Sequence, residues 1–146
     1  TLQRALQQPL PYVAAGAALW VFFAVWSARR PVQPLRQGRW VLYLLFISIV
    51  EEISFRLVIP MLLDEPLGWR SAIWLSNLAF AGLHYFTLRW KLRNCVVTCF
   101  GGLGLSHLLM GQQDLVLILL VHWLGTFLNT PWPPAMEASG DGRKTA

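Results

Sequence analysis

Charged residues divide this chain into uncharged runs of nearly constant length. Twenty-four residues separate Arg4 from Arg29 and eighteen separate Arg70 from Arg89; twenty run from Asn94 to Gln113, and twenty-two separate Asp114 from Glu137. Each is close to the ~20 residues that cross the hydrocarbon core of a bilayer as a helix. One more run, Trp40 to Leu63, the second in chain order, has a similar length but holds Glu51, Glu52 and Arg56 within it. Backbone polar groups in hydrocarbon must be satisfied internally, and apolar runs of this length do so as helices. The spacing predicts an all-α fold, a polytopic transmembrane helical bundle of about five spanning helices.

Composition agrees. Hydrophobic residues make up 55% of the 146 residues and charged residues 13%, with a mean hydropathy of +0.48. A soluble globule or a disordered chain needs more charge than that. The first run reads more as a span than as a cleaved leader: it is long, Arg4 is the only charge before it, and no convincing small-x-small cleavage site precedes Arg29. Prolines punctuate the runs: Pro31 and Pro34 in the first connection, Pro60 and Pro66 around the end of the second run, Pro131, Pro133 and Pro134 after the fifth. Cys95 and Cys99, one helical turn apart, read as small packing residues. Gly102-x-x-x-Ser106 reads as a small-residue face that lets helices approach closely.

The net charge of +5 is unevenly placed. Arg29, Arg30, Arg36 and Arg39 fill the first connection, and Arg89, Lys91 and Arg93 the third. The second holds Asp64, Glu65 and Arg70, the fourth only Asp114. Basic connections face the cytoplasm, which puts connections one and three and the C-terminus inside, with the protein expected in the plasma membrane of a prokaryote. Charges that flank membrane segments form no stripe for nucleic acid.

Chemistry must then come from ionisable residues inside the spans, where a charge is unfavourable by a few kcal/mol and usually functional. These are Glu51, Glu52, Arg56, His84, His107 and His122. Glu51 and Glu52 sit at the middle of their span and His122 near the middle of its own. His84 lies about 7 Å past the centre of the third span at helical rise. Glu51, His84 and His122 can therefore meet, whereas His107 lies nearer a span end and reads as structural. Glu52 and Arg56, four apart with the acid first, form a favourable helical pair. Glu51, about 100° around the helix, has no partner there and seeks one on a neighbouring helix. A carboxylate and an imidazole around one water make a general base. Asn77, one and two turns before Phe80 and His84, is a candidate for the same cavity.

These residues fall into ordered motifs: Glu51-Glu52-Ile-Ser-Phe-Arg56 (EExxxR), then Phe80-Ala-Gly-Leu-His84 (FxxxH), then His122 on a later apolar helix behind a Gly/Ser-rich one. Over Trp40 to Asn129 the chain resembles the CPBP family of intramembrane proteases, which includes the CAAX prenyl endopeptidases and the abortive-infection and bacteriocin-processing proteins. The resemblance implies an intramembrane endopeptidase acting on a membrane-associated or prenylated substrate. It implies that Glu51 activates the water with His84 as partner, and that Glu52 and Arg56 brace the site. His122 and an Asn four residues later hold the oxyanion. Here that last position is Thr126, a donor of shorter reach; Asn129 lies one turn further along. By this reading 1–39 holds the first helix and its basic cytoplasmic loop, 40–130 the catalytic core, and 131–146 a polar, mobile tail.

Two other chemistries stay open. Glu51, His84 and His122 have the ligand types for zinc, although no His-x-x-x-His pair is present; the glutamic reading needs no cofactor. The Thr126 departure also fits a non-catalytic relative acting as a scaffold, chaperone or small transporter. The expected partners are a membrane-anchored peptide or protein and the lipid bilayer; the oligomeric state is not legible.

Overall fold

The computed structural model describes residues 2–29 and 33–134. Arg30, Pro31 and the tail segment Met136–Ala146, with Glu137, lie outside the described residues. Every regular element among those described is helical: α1 (Gln3–Gln7), α2 (Pro9–Ser27), α3 (Pro34–Glu52), a π-helical turn (Ile53–Val58), α4 (Ile59–Leu67), α5 (Trp69–Leu88), α6 (Leu92–Gln112) and α7 (Leu115–Asn129). The result is an all-α membrane helical bundle. By length and composition, α2 and α6 can cross a membrane. Large apolar side chains such as Leu10, Leu62, Phe86 and Phe100 are exposed on its outside, as a lipid-facing surface requires.

The helices form two packed groups. In the first, α3 runs antiparallel to α7, and α2 lies parallel to α7. Phe23, Val41, Leu44, Trp123 and Phe127 make the shared core, with the Phe23 and Phe127 rings 4.2 Å apart. The second is α4, α5 and α6, joined to the first through the π-helical turn and the α6–α7 hairpin. Cys95 and Cys99 are indeed packing residues, buried against Ala81 with Trp90 and Leu103 around them.

Several boundaries differ from those the sequence predicts. Arg36 and Arg39 belong to α3, because Pro34 starts that helix with the φ it needs. Asp64, Glu65 and Pro66 lie in α4 and Arg70 in α5; the only break between those helices is Gly68, at φ 74°. Pro60 does not end its helix; it lies in the first turn of α4. α7, in the last of the five predicted runs, is short, 15 residues, or about 22 Å at helical rise. Asp114 caps its start by accepting from the Leu117 N–H at 3.1 Å and also accepts from the Tyr12 hydroxyl.

Past the end of α7, carbonyls with no helical partner meet donors from the start of α3. Trp40 Nε1 donates to Thr130 O at 2.9 Å, Gln37 Nε2 donates to Pro131 O at 2.8 Å, and Arg36 donates to Pro134 O. Residues 131–134 are therefore tied to α3. Trp40 serves as a clamp, and Trp123 is a core residue whose Nε1 donates to Val41 O.

Candidate active site

Glu51 and Glu52 are the last two residues of α3, where the helix gives way to the π-helical turn. In that turn the Ile59 N–H reaches back five residues, to Ser54 O. Continuing the pattern, Phe55 O would accept from residue 60, but Pro60 has no N–H. Ser76 on α5 fills the gap, its hydroxyl donating to Phe55 O at 2.6 Å. A π-helical turn is uncommon and often marks a functional segment; here it carries Arg56 directly beyond the two carboxylates.

Glu52 is completely buried and Arg56 is 3% exposed. Arg56 Nε stands 3.5 Å from Glu52 Oε2, as the i, i+4 spacing predicts. The guanidinium also lies over the Phe80 ring, 4.4 Å from its centroid, a favourable cation–π contact. Phe80 meets the His84 ring edge-on at 4.6 Å and 75°. The Phe of FxxxH is thus a platform between the arginine and the histidine.

The two histidines converge on Glu51. His84 Nε2 is 3.7 Å from Glu51 Oε1, and His122 Nε2 is 3.4 Å from Glu51 Oε2. His84 Nδ1 lies 2.9 Å from Phe80 O; a carbonyl only accepts, so Nδ1 carries the proton and Nε2 of the neutral ring is an acceptor toward Glu51. His84 is buried, 8% exposed. α5 stops at Arg89, in the left-handed conformation at φ 52°, which folds Trp90 back so that its ring lies 4.8 Å from that of His84.

One pairing differs from the expectation. Glu52 is not satisfied by Arg56 alone: His122 Nδ1 lies 2.5 Å from Glu52 Oε1. Antiparallel packing of α3 and α7 puts position 122 between positions 51 and 52, so His122 bridges both carboxylates. Thr126, one turn further along α7, has its hydroxyl 3.5 Å from that of Ser48, at the limit of a hydrogen bond. Ser48 is fully buried one turn before Glu52 and was legible only as a polar residue on that same face.

Around these groups lies a cavity of ≈ 610 Å³ whose lining includes Glu51, Arg56, His84, Gly102, His122 and Thr126. Along α3 it extends from Glu51 to Trp40, about 16 Å at helical rise, and its walls are mainly apolar. Asn129 also lines it, on the same side of α7 as His122 but further from the carboxylates. His107 is exposed on α6 and stays outside the cluster. Gly102 and Ser106 do more than let helices approach: a Cβ at Gly102 would meet the side chains of Asn77 and Arg56, and Ser106 bonds Asn77. Among the described residues, no group of three His, Cys, Asp or Glu side chains is arranged to hold a metal ion.

The family model of the type II CAAX prenyl endopeptidase Rce1-like proteins matches residues 33–128, about two thirds of the chain. The chain belongs to this Rce1-like family. Its matched region starts just before α3 and ends at the last turn of α7, so every residue of the cluster falls within it. At family level the chain is a CAAX-type intramembrane endopeptidase, in line with the CPBP resemblance of its motifs. No curated protein and no solved structure matches it.

Proposed function

We propose that the chain hydrolyses a peptide bond of a membrane-anchored or prenylated substrate with a water activated by Glu51 and His84. The observation that carries this reading is the convergence of two imidazole Nε2 atoms on the Glu51 carboxylate inside a 610 Å³ cavity. The 3.7 Å gap between Glu51 and His84 exceeds a direct hydrogen bond and suits a water that both hold. Glu51 takes the proton of that water as its oxygen attacks the carbonyl carbon, and returns it to the leaving amine. The apolar cavity walls fit a lipidated or membrane-embedded chain.

The tetrahedral oxyanion needs donors. His122 Nδ1–H is committed to Glu52, so its Nε2 can donate only in the imidazolium form. The Thr126 hydroxyl donates whatever the charge on the ring. Glu52 and Arg56 act through His122, holding its ring in place. The reading takes no metal, and it places the C-terminus in the cytoplasm of a prokaryotic cell.

In liposomes carrying a prenylated or membrane-anchored peptide, Glu51→Gln should abolish cleavage with the melting temperature unchanged. Glu52→Gln should also lower stability, because it strands a buried guanidinium, a loss of about 3–5 kcal/mol. A chelator should leave the wild type active. Loss of activity in chelator restored by zinc would favour the metal reading, and a silent Glu51→Gln would favour a scaffold.

A further inference from the structure

Arg56 brings five N–H donors into the bundle, and the one acceptor beside it so far is Glu52. None of its three nitrogens has a hydrogen-bond partner, and neither has Glu52 Oε2, which faces Nε at ion-pair distance, 3.5 Å. Across from it, on α5, Asn77 is completely buried. Its Nδ2 donates to Ile73 O at 2.9 Å and to Ser106 Oγ at 3.0 Å, while its Oδ1 has no partner. Ile73 O is acceptor-only, so the amide cannot be turned round without setting two oxygens against each other. The orphan acceptor and the orphan donors meet at one place: a Cβ on Gly102 would stand 2.9 Å from Arg56 Nη2 and collide with Asn77 Oδ1. Both groups occupy space that only a glycine leaves free. A buried guanidinium with unpaired donors is unfavourable, and Asn77 Oδ1 is an unpaired acceptor on the far side of the space that Gly102 leaves.

We infer that Asn77 is a positioning residue for the hydrolytic site, its carboxamide oxygen holding the Arg56 guanidinium across Gly102 so that Glu52 keeps its other oxygen on His122. This role presupposes the hydrolytic reading. The line of contact is Ser106, Asn77, Arg56, Glu52, His122, and it links α6, α5, the π-helical turn, α3 and α7. Asn77 touches neither water nor substrate; it acts on the ring that faces the reacting atoms, so its removal should change kcat and not KM.

The test uses the full chain in liposomes with a cleavable membrane-anchored peptide, beside Glu51→Gln as a control. Asn77→Leu keeps the volume and removes the oxygen; kcat should fall by ~10- to 100-fold with KM within twofold. Gly102→Ala, which forces the two groups apart, should do the same. In an Arg56→Met background Asn77→Leu should add less than a twofold loss, since the two act as one unit. A folded Asn77→Leu protein with wild-type kcat, or a full extra loss in the Arg56→Met background, overturns the inference. If Asn77→Leu does not fold, Ser106→Ala decides: a severalfold drop in kcat at an unchanged melting temperature supports the role, and full activity overturns it. If Glu51→Gln is itself silent, the hydrolytic reading fails and this role fails with it.

Discussion

Thr126 stands where the family pattern has an amide, and the structure gives that hydroxyl a specific setting. It shares a face of α7 with His122, lines the cavity and makes only a 3.5 Å contact to Ser48, so it is free to turn toward an oxyanion. Loss of one oxyanion donor commonly lowers a rate by ~10²–10³, and a donor of short reach recovers part of that. Thr126→Asn should raise kcat by about tenfold with little change in KM, since such a donor acts mainly in the transition state. Thr126→Val should lower it. Asn129 has the right group but sits seven residues from His122, about 10 Å along the axis, and Asn129→Ala should leave kcat within twofold. Steady-state assays of the three variants check this; a dead Asn129→Ala with an unaltered Thr126→Asn would move the oxyanion donor to Asn129.

The π-helical turn Ile53–Val58 is the element that sets the site, and its chemistry can be tested without touching a catalytic group. Pro60 withholds an N–H from Phe55 O, and Ser76 supplies the missing donor. Ser76→Ala should leave a buried carbonyl unpaired and lower stability by about 1–3 kcal/mol. In the double variant with Pro60→Ala the new backbone N–H can take over that carbonyl, and most of the loss should be recovered. Thermal melting of the single and double variants in detergent measures it. Two losses that simply add would mean that the serine is not replacing the proline's absent donor.

Across the whole molecule, the direction of the helices bears on topology. Tyr12 meets Asp114 at one end of the α2–α7 pair and Phe23 meets Phe127 at the other, so these two helices run the same way. First and fifth crossings of an alternating five-span chain must do so. With the basic residues Arg89, Lys91 and Arg93 after α5, the positive-inside rule predicts that this end of α7 faces the cytoplasm. Positions 65 and 93 are exposed. In a background with Cys95 and Cys99 replaced by Ala, an impermeant maleimide should label Glu65→Cys in intact cells. It should label Arg93→Cys only after permeabilisation, and the opposite pattern would reverse the orientation.

The sequence alone determined the class of the fold, because the interval between charges is a length measured against the bilayer and needs no tertiary information. It also determined that Glu52 pairs with Arg56, since i, i+4 geometry is local, and that Glu51, His84 and His122 lie at comparable depth. What it could not determine depends on how separate helices rotate against one another. That His122 lies against Glu52 as well as Glu51 follows from the antiparallel packing of α3 on α7, which no spacing along one helix encodes. That Pro60 continues a helix required a donor from α5, 16 residues away in sequence. Gly102 reads as a packing residue from its motif, and only the tertiary structure places Arg56 and Asn77 in the space its missing side chain leaves. Local spacing fixes what shares a face; which faces meet is decided by helix packing, where many weak contacts are summed over the whole chain.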